Sequence, residues 1–493
     1  MKNKSMNKIL ALGVVAAMTA GMLAGCGSSA STTTDGTEAS AKADKGEVPT
    51  LVWWTIGGTP ADDFDQAVSQ ISDYAEEKIG VRIDVKIAGW ADYETKMNNI
   101  INTGEYFDLM FVNNTNYTKF VNLNALENIT DLVQTETPDL YNFIPTDLWE
   151  GAKIHGNVYA VPTYKDSSLT QFWMLDDAYV QKYNIDVDSI KDYATLNDAL
   201  QTIKEGEGKS KYPMQLAQGS TFNGFFNNYD GLASGLQPIG VKYDDASRKV
   251  VCTLEQDDIM DGLNWLHKWY QDGIINPDAN VVTDGGKGSI FGSAQGWPAA
   301  ATTWAFNAGI EKYDLTQVFG PLYTTETIQG SMNAISANSK YKTEALKVLQ
   351  LMNTDSKFRD MCAYGTEGNY MEYAEDGTVQ KLRDDWNWPS YTQGTFFILS
   401  TQADGDPDAW NQVKEQNESA VSSTCLGFAL DVTNIQNEIA NCNTVWDKYK
   451  NDLLTGASDP ATAVPACIEE LKAAGLDTVI EEAQKQVDEF FAN

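Results

Sequence analysis

The side chains of this chain that suggest chemistry are aromatic rings placed near amides and carboxylates. The chain holds 13 Trp and 22 Tyr in 493 residues, and many Asn and Asp residues stand near the ends of predicted strands. Flat rings stack on the apolar C–H faces of a sugar, while planar amides and carboxylates hydrogen-bond its hydroxyl groups. The combination favours binding of a neutral, hydroxyl-rich ligand.

Ligands of open α/β folds bind beyond the carboxyl ends of the strands, and this rule selects three groups of residues. These are Trp54 with Thr55, Asn113 with Asn114, and Tyr164 with Lys165 and Asp166. Trp53 and Trp54 alternate along a strand, so we expect one to face the core and the other the cleft. Asn113 and Asn114 could instead close a turn.

Further candidates stand in glycine-rich or aromatic-rich stretches. They are Trp297, Trp304, Glu367, Tyr370, Trp386 and Trp388. Core packing explains Trp304 equally well, because it lies at helical spacing from Trp297. The aromatic cluster at 385–389 could cap a hinge, and Glu367 could cap a helix or pair with a lysine.

The elements that must position these residues follow from hydrophobic periodicity. Buried strands are predicted at 51–56, 81–87 and 108–112, with helices at 62–78 and 93–101 between them. This strand–helix–strand–helix–strand order is typical of a parallel α/β sheet. An extended segment at 168–175, helices at 260–270 and 343–353, and a mostly helical region at 426–493 follow.

The first residues have the layout of an export signal. A lysine-rich start precedes an apolar run at 9–20, and Leu23-Ala24-Gly25-Cys26 reads as a lipobox. We therefore predict a signal peptide at 1–25, an acylated Cys26 and a flexible polar tether at 26–48. The protein would be anchored to the lipid bilayer on the extracellular face of the cell membrane. An ordinary signal peptide with a chance cysteine is the alternative.

Charge and composition exclude several functions. A formal net charge of −34 argues against nucleic-acid binding, which needs a basic surface. Two histidines, His155 and His267, leave little for zinc or Ser-His-Asp catalysis. Asp404–Glu415 resembles a calcium loop but has Ala409 where that motif needs Gly. We predict no cofactor and no metal.

Five cysteines besides Cys26 complete the inventory. An odd number cannot all pair within one chain, and their spacing fits no zinc motif. We expect these cysteines to be small buried residues, and one disulfide among them remains possible.

Several local strings together resemble a known family, the extracellular solute-binding lipoproteins of ABC transporters. The strings are LVWWT at 51–55, DLMFV at 108–112, GNVYAVP at 156–162, YQDGIINP at 270–277 and YGTEGNY at 364–370. The closest likeness is to the carbohydrate-binding branch of Gram-positive cells. The C-terminal region is similar to the extension of that branch.

This resemblance implies an α/β fold of two periplasmic-binding-protein-like lobes, joined by crossing hinge strands around a ligand cleft. By analogy, lobe 1 holds 49–165 plus 320–360, and lobe 2 holds 166–319 plus 361–493. The implied function is capture of an oligosaccharide by lobe closure and its delivery to an ABC permease, by a monomer. We expect no enzyme, because no local signature singles out an acid–base pair among the 69 acidic residues. A peptide or amino-sugar receptor, an adhesin and a surface glycoside hydrolase remain alternatives.

Overall fold

The computed structural model describes residues 48–219, 222, 224–283 and 289–492. The predicted signal peptide, Cys26 and the tether up to residue 47 lie outside the described residues. The strands are β1 (Thr50–Gly57), β2 (Arg82–Gly89), β3 (Leu109–Val112), β4 (Lys153–Ile154), β5 (Asn157–Val158), β6 (Ala160–Pro162), β7 (Leu169–Asp176), β8 (Tyr229–Asp230), β9 (Ile239–Lys242), β10 (Val251–Cys252), β11 (Phe291–Gln295), β12 (Tyr313–Tyr323), β13 (Met332–Ile335), β14 (Met371–Tyr373), β15 (Val379–Lys381) and β16 (Val421–Ser422).

Helices connect and cover these strands. They are α1 (Phe64–Ile79), α2 (Tyr93–Thr103), α3 (Tyr117–Asn122), α4 (Thr130–Glu136), α5 (Pro138–Phe143), α6 (Thr146–Gly151), α7 (Asp177–Tyr183), α8 (Tyr193–Glu207), α9 (Asp257–Gln271), α10 (Ala300–Ala308), α11 (Thr325–Gln329), α12 (Lys342–Thr354), α13 (Ser356–Tyr364), α14 (Ala409–Glu418), α15 (Gln436–Leu454), α16 (Pro460–Ala473) and α17 (Leu476–Phe491). The strands and helices predicted from periodicity are confirmed to within a few residues.

The first sheet has the strand order β2-β1-β3-β13-β6. β1 pairs in parallel with β2 and β3, as the strand–helix alternation predicts, and β13 is antiparallel to β3 and β6. α1 buries Phe64, Val68 and Ile71 on one face, and Gly80 then ends the helix in the left-handed conformation that glycine adopts freely.

The second sheet has the order β11-β7-β12-β16. The chain enters it through residues 163–168, which join β6 of the first sheet to β7. It leaves through β12, whose last residue Tyr323 is followed at once by α11 and then by β13. Two stretches that cross between sheets are therefore present, as the two-lobed fold requires.

The described side chains form two large apolar cores. The first core gathers buried residues from 51–164 and 323–388, and the second gathers residues from 173–291 and 425–487. Tyr370, Trp386 and Trp388 belong to the first core, although analogy grouped 361–493 with lobe 2. The reason is local: Trp386 packs on Phe64 at 5.0 Å between ring centroids, which ties this segment to α1.

The helical C-terminal region packs on the second core. α15, α16 and α17 contribute Trp446, Cys467 and Val487 to it. All five cysteines in the described residues are buried free thiols, so the disulfide left open by the sequence is absent from this part of the chain. Across the same residues, no helix has both the length and the apolar character needed to cross a bilayer.

Candidate functional site

The carboxyl ends of β1, β2 and β3 meet at one edge of the first sheet. Gly57 pairs with Gly89, and Val112 pairs with Met332 at the start of the antiparallel β13. Met332 in turn pairs with Pro162 at the end of β6. We call this row of strand ends and the residues next to it the carboxyl edge. Ligands of open α/β sheets bind at such an edge.

An exposed aromatic pair stands on the carboxyl edge. Trp90 follows the last residue of β2, and its ring stacks with that of Tyr391 at a centroid distance of 6.1 Å and an interplanar angle of 24°. Trp90 is 54% exposed and Tyr391 is 42% exposed. Two large rings held together in water leave outer faces on which a flat apolar ligand surface can stack.

A buried arginine holds the loop that carries Tyr391. Arg359 is fully buried; its Nε donates to the carbonyl of Thr395 at 2.7 Å, and its Nη2 donates to that of Ser390 at 2.8 Å. The Oγ of Ser331, next to β13, donates to the carbonyl of Tyr391 at 2.7 Å. Burial lowers the pKa of Arg359 to about 10. These bonds fix the backbone on both sides of Tyr391.

Trp53 and Trp54 occupy opposite faces of β1. Trp53 is fully buried, donates from Nε1 to Oδ1 of Asn333 at 3.1 Å, and meets Trp388 edge to face at 5.3 Å. Trp54 is half-buried, with the ammonium of Lys96 4.9 Å from its ring centroid. The expectation that one of the two faces the core is confirmed by Trp53; the ligand role of Trp54 stays a prediction.

Thr55 and the two asparagines lie near the strand ends. Thr55 is buried and its Oγ1 lies 3.5 Å from Oγ1 of Thr392, in the loop that carries Tyr391. Asn113 follows β3 and accepts two hydrogen bonds from Thr115 through Oδ1, so it closes the turn that was the alternative reading. Asn114 is exposed at the same edge.

Tyr164, Lys165 and Asp166 lie where the chain leaves the first sheet. Tyr164 is buried, with its ring 4.5 Å from that of Phe397. Lys165 and Asp166 form an ion pair at 2.7 Å with about one fifth of each side chain exposed. Position in the chain thus brings this group to the same edge as Trp90 and Asn113.

The other predicted residues lie in the first core, at the exposed position of Glu367, and beside the second sheet. Tyr370, Trp386 and Trp388 are buried in the first core, where Trp386 donates from Nε1 to the carbonyl of Cys362 at 3.0 Å. Rings that are at most 9% exposed offer no stacking face to a sugar in this conformation. Glu367 is exposed and lies 3.7 Å from Lys357, which matches the lysine-pairing alternative.

Trp297 and Trp304 lie beside the second sheet. Trp297 packs on Trp410 of α14 at 6.3 Å, and Gln412 of the same helix accepts a hydrogen bond from the backbone of Ala299 at 3.0 Å. Trp304 packs on Phe172 at 6.2 Å, in line with the core alternative. Binding roles for Trp297, Trp304, Glu367, Tyr370, Trp386 and Trp388 stay predictions.

No group of three or more His, Cys, Asp and Glu residues is arranged to hold a metal ion within the part of the chain that the structure describes. In the calcium-like stretch, Asp406 accepts from the backbone of Asp408 and from Gln412. The helix there begins at Ala409. The stretch therefore forms the turn that leads into α14.

Comparison with known proteins identifies the fold family. Residues 69–382, well over half of the chain, match the family "Bacterial extracellular solute-binding protein". The chain belongs to this family. Residues 424–492 match a domain of unknown function, DUF3502. The resemblance to solute-binding proteins inferred from local strings is confirmed, and so is the two-lobed α/β fold.

Matches from Streptococcus pneumoniae cover almost the whole length of this solute-binding protein. A carbohydrate ABC transporter substrate-binding protein of Streptococcus pneumoniae is 28% identical over 466 residues, covering 92% of this chain and 93% of the relative. The crystal structure of the N-glycan transport solute binding protein NgtS of the same species is 27% identical with a TM-score of 0.81, covering 90% of this chain and 99% of that chain. Two complexes of NgtS are each 26% identical to this chain and cover 90% of it. The complex with Man1GlcNAc has a TM-score of 0.71 and is covered to 100% of its length. The complex with Man5GlcNAc has a TM-score of 0.67 and is covered to 99%.

The sequence pattern did not select Trp90 or Tyr391. Trp90 stands in a polar stretch after β2, and Tyr391 lies 301 positions away in the sequence, so no local pattern joins them. The rule that selected Asn113 after β3 would have selected Trp90 after β2, had it been applied to every strand end.

Proposed function

We propose that this solute-binding protein captures an oligosaccharide outside the cell and delivers it to an ABC importer. The observation that carries the proposal is the similarity, over nine-tenths of the chain, to a protein whose structures include complexes with Man1GlcNAc and Man5GlcNAc. The exposed Trp90–Tyr391 pair supports it, because stacked rings at a strand-end edge suit the apolar faces of sugar rings.

In this proposal the ligand touches the carboxyl edge. Trp90 and Tyr391 supply stacking surface, and Asn114, Lys165 and Asp166 supply polar groups for hydroxyls. The formal net charge of −34 disfavours an anionic ligand. A neutral oligosaccharide therefore fits this edge better than an acidic one.

Lobe closure is the proposed means of capture. The chain superposes better on NgtS without a named glycan than on either glycan complex, with TM-scores of 0.81 against 0.71 and 0.67. This order is expected of an open arrangement whose lobes approach each other on binding. Closure requires that the ligand bind the closed form more tightly than the open form.

The predicted anchor is part of the proposal. The family is extracellular, and Cys26 would attach this member to the bilayer next to its permease. Cys26→Ser should release the protein into the medium while sugar affinity is unchanged, which fractionation of cells followed by calorimetry would measure. Retention of the variant in the membrane fraction would contradict an anchor at Cys26.

The decisive experiment is a binding screen on the mature chain with glycans built from mannose and N-acetylglucosamine, and with peptides as the competing class. A ligand at a hundred times its Kd stabilises the folded state by about 2.7 kcal/mol, which raises the unfolding temperature measurably. We expect a rise with one glycan series and unchanged glycan afterwards by mass spectrometry. A response to peptides alone would overturn the proposal, and released shorter glycans would indicate a hydrolase.

A further inference from the structure

A cavity lies where three stretches of chain meet, and its described lining includes neither Trp90 nor Tyr391. Its volume is about 470 Å³. One wall comes from residues 226–239 around β8 and β9, a second from Thr324–Thr327 at the start of α11, and a third from α15. We call it the joint pocket, because α11 directly follows β12 where the chain returns to the first sheet. The α15 wall belongs to the region that matches DUF3502.

Three carboxyl groups line this pocket: Asp447, which is paired with Lys450, and the two acids Asp230 and Glu326. Asp230 is 2% exposed; its Oδ1 accepts a hydrogen bond from the backbone nitrogen of Leu232 at 2.9 Å. Its Oδ2 is buried and makes no hydrogen bond of ordinary geometry among the described residues, although the hydroxyl of Ser423 stabilises the charged form of this carboxyl group. Glu326 lines the same pocket. A carbon added at Gly231 would lie 3.4 Å from Oε2 of Glu326, so this carboxylate reaches the residue next to Asp230.

The negative charge of the pair is not balanced by the described chain. Burial raises the pKa of Asp230, and burial followed by the charge of Asp230 raises the pKa of Glu326 to about 7. Lys450, the single Lys or Arg among the described lining residues, is 2.5 Å from Asp447 and is paired with it. Two neighbouring negative charges in a largely buried pocket favour binding of a ligand that carries a positive charge.

The remaining walls suit a small organic molecule. The rings of Phe226 and Trp446 lie 6.1 Å apart, and the Nδ2 of Asn227 is buried without a partner in the described residues. The pocket volume is that of a small-molecule site. No three His, Cys, Asp or Glu side chains among the described residues are arranged here to hold a metal ion, whereas an ammonium group needs only acceptors for its three N–H donors.

We propose that the joint pocket binds a small ligand carrying a protonated primary amine, of the class of amino sugars, through Asp230 and Glu326. The region matching DUF3502 would then serve as a structural wall of a ligand site. This proposal stands independently of oligosaccharide capture at the carboxyl edge.

The test compares one cationic sugar with two neutral analogues that differ from it at a single ring position, on the mature chain by titration calorimetry. Glucosamine carries the free amine, N-acetylglucosamine caps the same amine, and glucose lacks it. We expect glucosamine to bind about tenfold more tightly than either neutral sugar, since charge-assisted hydrogen bonds exceed neutral ones by about the 1.4 kcal/mol that tenfold represents. Equal binding of the three sugars, or no binding of glucosamine, would overturn the proposal without requiring any variant.

Variants then locate the site. Glu326→Gln keeps the volume and removes the charge, and should weaken glucosamine binding about tenfold while N-acetylglucosamine is unaffected. Asp230→Asn should act in the same direction. Glu469→Gln, at an exposed position of α16, removes the same charge outside the pocket and should leave binding unchanged. A loss in Glu469→Gln equal to that in Glu326→Gln would mean attraction by net charge and would contradict the site.

A parallel glycan titration separates this proposal from the first. Trp90→Ala should weaken glycan binding and leave glucosamine binding intact, and Glu326→Gln should do the reverse. A glucosamine signal that is lost in Trp90→Ala but kept in Glu326→Gln would place the amine at the carboxyl edge and overturn the joint-pocket assignment.

Discussion

Two aromatic pairs lie in the region of the first sheet, and one is buried while the other is exposed. Trp53 and Trp388 meet edge to face at 5.3 Å and have no exposed surface. Trp90 and Tyr391 stack at 6.1 Å with about half of each ring in water. One member of each pair comes from the same short segment, because Trp388 and Tyr391 are three residues apart.

The difference teaches that position relative to the sheet decides what a ring does. Trp53 lies inside β1, so its side chain must enter one of the two covered faces of the sheet. Trp90 comes after the last residue of β2, and 54% of its surface is exposed. Burial makes the first pair a source of stability, and exposure makes the second pair available to a ligand.

Replacing the buried ring should have the largest effect on folding. Trp388→Ala leaves a cavity against Trp53 and should lower the free energy of unfolding by about 3–5 kcal/mol, measured by urea denaturation. Trp388→Phe is the matched control: it keeps a ring and removes an Nε1 that is buried without a partner in the described residues, so the loss should be smaller. A Trp388→Ala variant as stable as wild type would contradict the core assignment.

Replacing the exposed ring should affect binding more than folding. Trp90→Ala should weaken oligosaccharide binding about tenfold, or about 1.4 kcal/mol, and change the free energy of unfolding by less than about 1 kcal/mol. Calorimetry and urea denaturation of the same preparation give both numbers. Leu123→Ala, at a similarly exposed apolar residue, is the control and should change neither. Normal glycan affinity in Trp90→Ala would contradict a ligand-binding role for the exposed pair.

The smallest effect concerns the ion pairs that hold the segment carrying both Trp388 and Tyr391. Arg383 donates to Asp63 at 2.8 Å and to Asp385 at 2.6 Å, and Tyr370 donates to Asp63 at 2.5 Å. Arg383 is the main cause that lowers the pKa of both carboxyl groups. Because the folded state lowers these pKa values, the stabilisation is present above the ordinary aspartate pKa of about 4 and is lost as the pH falls below it.

Arg383→Ala should therefore lower the unfolding temperature at pH 6 and differ less from wild type at pH 3, measured by calorimetry. Lys414→Ala breaks a longer, more exposed pair with Glu418 at 3.9 Å and should show little effect at either pH. A constant difference between Arg383→Ala and wild type across this range would mean that the lost contact is packing on Tyr370, whose ring lies 4.2 Å from the guanidinium.

Much of the fold could be predicted because it depends on local periodicity. The alternation at 81–87 and the helical spacing at 62–78 each report one covered face, and β2 and α1 occupy those ranges. The candidate site could be predicted only in part. Asn113, Lys165 and Asp166 lie at the carboxyl edge because strand ends align, and their binding roles stay predictions. Trp386 and Trp388 were selected by local aromatic density, which is equally typical of a core.

By itself, the sequence determined the strand–helix order and the family, since each depends on neighbouring residues or on order along the chain. Only the tertiary structure decided which rings are covered and which distant groups meet. Trp90 and Tyr391 are 301 positions apart, and Asp230 and Glu326 are 96 positions apart, so no local pattern couples them. Burial is a property of the packed chain, and it changes a tryptophan from ligand surface to core and a carboxylate from solvated charge to an acceptor in need of a partner.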